Sequence, residues 1–194
     1  LFVEQSDGRT NLFANYRSDV VEVPTLVAFE DYYFELYGNG PLANPNDKRK
    51  DWFEIRLPAT PVEFYACTKF NMDFFNIPYS HLTEMLLIRS ESLAEMGNNL
   101  GTAISDINQL RTRAEIALLD AGTPADGIIE AARTERKKEM FGEGRWVNDL
   151  KRRGALGEDI MVRGVPYDCN GMILQFPVSE NTSNFIMNPS GGCN

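Results

Sequence analysis

Beyond Pro78 the apolar residues recur with helical spacing. Leu82, Leu86, Arg89, Leu93 and Met96 follow one another at intervals of four and three, which predicts a helix presenting that face to a core, capped by Ser80 and stopped at Gly97. His81 then falls in its first turn. A second helix is expected from about Leu100 to Glu115, with Ala103, Ile104, Ile107, Leu110, Arg111 and Ala114 on one side. Only Gly97, Asn98 and Asn99 separate the two, so they must pack as an antiparallel hairpin, the unit from which tetratricopeptide arrays are built. A third helix has the clearest start: Thr123 as N-cap, Pro124 at the first helical position and Asp126 near the positive end of the dipole. It should run to about Phe141, with Ile129, Ala132, Arg136 and Met140 on one face. Gly142 and Gly144 punctuate the chain before a short helical turn around Trp146 to Arg153, which Gly154 ends.

From Leu1 to Ile77 no such period holds. Clusters such as GNGPLANPNDK and LPATP break helices, so this half reads as loops with short strands. Its aromatics, among them Phe29, Tyr32, Tyr33, Phe34, Tyr37, Trp52, Phe53 and Tyr65, must fill a core beneath those loops or form a stacking surface. The stretch from Ala155 to Asn194 carries prolines, glycines and asparagines and reads as a long tail wrapped on the surface. The pattern as a whole is mainly α: a tetratricopeptide-like hairpin plus a third helix, with long loop-rich excursions and minor β. It divides into a loop-rich, aromatic-rich segment 1–77 and a helical region 78–194.

Charge changes the picture most between Thr123 and Gly154, the richest local pattern of charged residues. Arg89, Arg111 and Arg136 interrupt apolar faces, and a buried arginine needs a carboxylate because it cannot release its proton. Glu84, Glu91, Glu135, Glu139 and Glu143 are the available partners. Arg111, Glu135, Arg136, Glu139, Glu143, Arg145, Asp149 and Arg152 are therefore read as a structural clasp of ion pairs, with Arg136 and Arg145 mostly buried and Trp146 in its interior. The competing reading makes Glu139 and Glu143 the acid and base of a carbohydrate-active hydrolase. Every carboxylate here lies within a turn of Arg or Lys, which holds it ionised instead of raising its pKa toward neutrality, so no catalytic residue is assigned and the chain is read as a binding module.

Composition excludes other classes. A net charge of -9 over 194 residues leaves no basic stripe for nucleic acid. One histidine cannot build a His-rich metal site, any His-based triad would depend on that single residue, and no Walker sequence, GxGxxG or GxSxG occurs. No metal site and no cofactor are assigned, with calcium left open. Three widely spaced cysteines, Cys67, Cys169 and Cys193, argue against a disulfide framework and favour free thiols; one pair, Cys169 with Cys193, stays open. Gly191 and Gly192 read as a turn, and Asn181-Thr182-Ser183 matches a glycosylation sequon too common to decide anything.

Three stretches in order, HLTEMLLIRSESLAEMG, AISDINQLRTRA and the Glu135-Arg136 to Gly154 series, together with the ending FPVSENTSNFIMNPSGGCN, resemble the C-terminal region of the SusD/RagB family. The likeness covers Pro78 to Asn194. It implies the C-terminal portion of a longer surface-exposed lipoprotein of the outer membrane, held by a lipid anchor upstream, with no other membrane contact. It further implies capture of oligosaccharide for a SusC-like TonB-dependent transporter in nutrient uptake, with the arginine–glutamate motif serving the fold and loop aromatics meeting the glycan. Sugar faces stack on flat rings, and Trp52, Tyr33 and Tyr37 are the candidates for that role. The alternative is a helical protein-interaction scaffold without sugar affinity.

Overall fold

The computed structural model describes residues 17–19, 24, 26–40, 42–56, 64–71, 80–173 and 192–193, and residues 2–3 and 77–78 as backbone. Its helices are α1 (Glu30–Tyr37), α2 (Leu82–Glu95), α3 (Leu100–Arg113), α4 (Ala125–Glu139) and α5 (Trp146–Ala155). The strands are β1 (Phe2–Val3), β2 (Val27–Phe29), β3 (Phe53–Arg56), β4 (Phe64–Cys67), β5 (Ile77–Pro78), β6 (Met161–Val162) and β7 (Val165–Pro166). The fold is mainly α. By packing, the chain divides between Gly142 and Glu143, so the loop-rich half and helices α1 to α4 share one unit.

Within that unit α2, α3 and α4 enclose a core centred on Leu87, Ile107 and Ile128, each wholly buried. Burying each such side chain contributes roughly 1.5–3 kcal/mol. The hairpin turn between α2 and α3 is tight because Gly97 and Asn99 both take left-handed backbone, at φ 61° and 49°. Ala103, Ile104, Ile107, Leu110 and Ala114 face inward, as the spacing of α3 predicts. Asn108 clamps the following loop, accepting from the Leu119 amide at 2.8 Å and donating to its carbonyl at 3.1 Å.

The face of α2 differs from expectation. Thr83, Glu84, Leu87, Ser90, Glu91 and Ala94 are buried, Leu86 and Leu93 only partly, and Leu82 and Met96 stand 71% and 66% exposed. The physical reason is close approach: α2 meets its neighbours through small side chains. Ser90 donates its hydroxyl to the Ala103 carbonyl at 2.9 Å, and Ala94 and Ala103 leave room for the backbones. Arg89 accordingly lies outside the core; its side chain is 57% exposed and forks onto buried Asp106 with two bonds of 2.7 Å. Helix starts shift as well. His81, not Ser80, precedes α2, and Thr123 makes no cap, its hydroxyl donating to the Asp120 carbonyl at 2.7 Å while Pro124 leads into α4.

The first half is not all loop and strand. α1 forms where EDYYFELY turns Leu36 and Tyr37 inward, with Glu30 and Asp31 at its positive end. β2, β4 and β3 make an antiparallel sheet in that order, with Ala28 opposite Tyr65 and Ile55 opposite Tyr65 on its other side. Ala28, Leu36, Tyr37, Phe53, Tyr65, Cys67 and Phe70 form a second, aromatic-rich core beneath α1. Gly142 ends this unit at φ 78°, where a β-carbon would stand 2.5 Å from Leu26 and 2.9 Å from Phe70.

In the second unit α5 continues through Gly154, which is buried inside the helix instead of ending it: a β-carbon there would lie 2.4 Å from the Tyr167 ring. Trp146 opens α5 at 40% exposure, so it is a surface residue and not the interior of a clasp. Part of the expected tail is folded. β6 and β7 pair as a hairpin whose turn residues, Arg163 and Gly164, both have positive φ, the geometry of a type I′ turn. Cys169 and Cys193 are joined by a disulfide, whereas Cys67 is a buried free thiol whose pKa burial pushes up. The sequon Asn181-Thr182-Ser183 and Gly191 lie outside the described residues.

Candidate functional site

The aromatics named from the sequence gather in one cluster on α1 and the three-stranded sheet. Tyr33, on α1, stacks face to face with Tyr65 of β4 at 3.9 Å and 7°. Tyr37, one turn on, is 5.4 Å from Tyr33 and 5.7 Å from Phe53. Trp52 closes the 3-10 turn Lys48–Trp52 at the same cluster, with the Lys69 ammonium 5.3 Å from its ring.

Their exposures separate them. Tyr37 is 3% exposed and packs as a core ring beneath Lys138, 5.5 Å away, so it offers no face to a ligand. Tyr33 and Trp52 are half-buried. Around them stand residues that sequence reading did not single out as ligand contacts: Phe34, 38% exposed and edge-on to Tyr65, and Ile55, 60% exposed and paired with Tyr65 across the sheet. Asp51, exposed on the 3-10 turn, lies close enough for its charge to act on Tyr33. Burial chiefly, and Asp51 after it, raise the pKa of the Tyr33 phenol. The phenol therefore stays protonated and keeps its hydroxyl as a donor. No sequence period marks Phe34, Ile55 or Asp51, because their proximity comes from the packing of α1 on the sheet, the sheet register and the 3-10 turn.

A network of buried charges backs this cluster. Arg49 donates through Nε and Nη2 to both oxygens of Asp47, at 2.8 and 2.7 Å, and through Nη1 reaches Glu135 at 2.7 Å and Glu139 at 3.0 Å. Lys138 adds a contact to Asp47 at 3.1 Å, Arg111 to Glu135 at 2.9 Å and Arg113 to Glu139 at 2.5 Å. Asp47, Arg49, Glu135, Lys138 and Glu139 are all buried. Burial pushes Asp47 up, but the Arg49 fork, its charge and backbone amide, and Lys138 outweigh it and hold the carboxyl below its ordinary range. Both oxygens of Glu139 are taken by arginines, which suits a fixed carboxylate and not a proton donor. Asp47, Arg49, Arg113 and Lys138 were missed by sequence reading; Asp47 and Arg49 sit among turn-forming residues with no period.

Of the remaining residues read into the clasp, Arg136 is buried in α4. In the second unit Asp149 pairs with Arg152 at 2.9 Å, while Glu143 and Arg145 are half-buried. Among the described residues no group of three or more His, Cys, Asp or Glu is placed to hold a metal, and no helix is long and apolar enough to cross a membrane.

The SusD family profile matches residues 75–182, more than half of the chain. The chain belongs to the SusD family. Two solved structures are similar to it, both from Bacteroides vulgatus. A SusD superfamily protein aligns at a TM-score of 0.60 and 21% identity, over 78% of this chain and 36% of its own. A SusD-like carbohydrate binding protein aligns at 0.49 and 22%, over 63% of this chain and 26% of its own. This SusD family chain thus spans about a third or less of the solved chains it matches. Among curated proteins none matches. The matched segment holds α2 to α5 and the carboxylates of the clasp, whereas Tyr33, Asp51 and Trp52 precede it.

Proposed function

We propose that this SusD family chain binds oligosaccharide without transforming it, as part of a lipid-anchored outer-membrane surface protein that delivers glycan to a SusC-like TonB-dependent transporter. The observation that carries the reading is Tyr33, half-exposed and braced from behind by Tyr65 at 3.9 Å, with Trp52, Phe34 and Asp51 about it. A rigid ring offers the apolar face of a pyranose a surface that loses little entropy on binding, and an adjacent carboxylate accepts hydroxyl protons. Family membership supports the same role, and nutrient uptake through a transporter is the setting in which capture without hydrolysis is useful. The ion-paired Glu139 supports binding over hydrolysis.

Calorimetry of the protein against a panel of neutral oligosaccharides tests this. At least one should bind, and Tyr33→Ala should weaken it about tenfold, the loss of one stacking contact. A second reading, a helical protein-interaction scaffold, draws on the apolar residues Leu82, Met85 and Ile88 exposed on α2 and Met96 just beyond its end. Absence of heat with every glycan, beside a retained complex with the transporter, would replace the first reading by the second.

A further inference from the structure

Away from the aromatic cluster, the first unit holds an open cleft of about 350 Å³ between the loop at 42–44, the loop after α3 and one side of α4. Its volume lies at the lower end of ligand pockets, roughly 300–1,000 Å³, which suits a molecule of one or two rings and not a long chain.

The lining joins an apolar wall to unspent hydrogen-bonding groups. Ile116 and Leu119 form part of the wall. Arg111 uses Nε on Glu135 and one Nη1 hydrogen on the Ala117 carbonyl, at 2.9 and 3.2 Å, leaving its other N–H groups unspent among the described residues. Asn44 accepts from the Asn46 amide at 3.0 Å, and its NH₂ makes no hydrogen bond among the described residues. The Thr134 hydroxyl and the Glu130 carboxylate, both lining the cleft, make no hydrogen bond among the described residues. Donors, an acceptor and a hydroxyl able to do either thus converge beside apolar surface.

Charge narrows the ligand. Arg111 and Lys138 face Glu130 and Glu135 in the lining, and Arg111 is already held by Glu135 and Lys138 by Asp47. Formal charge in the lining cancels, so a phosphate or carboxylate finds no excess of cation. Hydroxyl groups, which donate and accept at once, match such a mixture.

We propose that this cleft binds a neutral, hydroxyl-rich molecule of one or two sugar rings, at a site distinct from the Tyr33 cluster. In its biological sense the proposal rests on the carbohydrate-binding reading above. The site is a second point of attachment, reading a short stretch or an end of a glycan by hydrogen bonds where the Tyr33 cluster reads it by stacking.

Amide NMR of the protein, titrated with methyl α-glucoside, methyl α-mannoside and methyl β-galactoside, tests it, with phosphate and glycylglycine as charged probes. At least one glycoside should move the Ala117, Leu119 and Thr134 signals saturably. Thr134→Val should weaken that response about fivefold, the loss of one hydrogen bond. Asn44→Ala is the second variant should the first fail to fold, and Ala117→Trp at the exposed rim should abolish the response. Glycoside shifts confined to Tyr33, Asp51 and Trp52 overturn the cleft and leave the carbohydrate-binding reading standing. Shifts at the cleft alone uphold it and remove Tyr33 as the platform. A cleft that prefers phosphate or glycylglycine overturns it, and silence at both places overturns both.

Discussion

Arg49 makes four contacts to three carboxylates, and none of the four side chains is more than 4% exposed. Arg49→Met keeps the length and removes the charge. The carboxylates are not then abandoned altogether: Asp47 retains Lys138, Glu135 retains Arg111 and Glu139 retains Arg113. Breaking a buried pair outright costs about 3–5 kcal/mol, so the residual partners place the expected loss near the lower end, about 3 kcal/mol. That is roughly a hundredfold in the folding equilibrium. Arg49→Lys keeps the charge but cannot fork onto Asp47 and reach two glutamates, and should lose about 1–2 kcal/mol. The assay is urea unfolding followed by tryptophan fluorescence. Trp52 and Trp146 are the two tryptophans, so in a Trp146→Phe background Trp52 reports on the unit that contains Arg49. Adding Asp47→Asn and Glu139→Gln to Arg49→Met takes from buried Lys138 and from Arg113 the carboxylates that still hold them, and should deepen the loss. A loss below about 1 kcal/mol for Arg49→Met, or a triple variant as stable as the single one, would refute the reasoning.

Four further outcomes are expected. Asp47 has a folded pKa below its ordinary 3.8, so its contribution is whole above that value and is lost as pH falls through the folded one; Asp47→Asn should flatten the acid limb of urea midpoint against pH, and parallel limbs would count against it. Burial raises Tyr32 and Tyr37, so both stabilise the fold below the ordinary tyrosine pKa of 10 and lose that contribution as pH rises beyond it. At least two of the seven tyrosines should resist ionisation in an alkaline absorbance titration until the chain unfolds. Gly142→Ala forces a side chain into positive φ and against Leu26 and Phe70, and should cost about 1–3 kcal/mol in thermal or urea unfolding. Reduction of Cys169–Cys193, separated by 24 residues, should destabilise the second unit by about 3 kcal/mol, read from Trp146 fluorescence with mass spectrometry confirming the bond.

The helical frame was legible because α2, α3 and α4 each carry a period, and Gly97 and Asn99 mark the turn between the first two. Which side of α2 faces inward was not. Periodicity weighs large apolar residues, and the seam of α2 is built from Ser90, Ala94 and Glu91, which score as polar or small; Leu82 and Met96 score highly and stand in solvent. Half of the buried charge network was visible, since Glu135 and Glu139 lie one turn apart on α4 and Arg111 falls on the inward side of α3. Its other half, Asp47 and Arg49, comes from a turn-rich segment as far as 90 positions away, and nothing local to that segment says where it docks. The aromatic cluster had the same limit: composition showed that Tyr33, Tyr37 and Trp52 were abundant rings in a loop-rich half, but exposure depends on sheet register and on the neighbours each ring meets.

Those missed residues bear on function because the network and the platform share elements. Arg49 sits on the 3-10 turn Lys48–Trp52, which also carries Asp51 and Trp52, so its bonds to Glu135 and Glu139 anchor that turn to α4. Tyr33 and Phe34 sit on α1, which Glu35 ties to Lys137 of α4 at 2.7 Å, and the Tyr32 hydroxyl reaches the Lys137 carbonyl at 3.4 Å. Both elements of the platform are thus fixed to the same helix by charge. A platform gains affinity from being held in place before the ligand arrives, because ordering costs are then already met. Loosening the 3-10 turn should therefore weaken glycan binding even where no contact with the glycan is removed. Arg49→Lys provides the comparison: under conditions where it remains folded, it should bind the same oligosaccharide more weakly than the parent, with the loss concentrated at Asp51 and Trp52 rather than at Tyr33. Equal affinity in the two proteins would mean that the charge network serves stability alone.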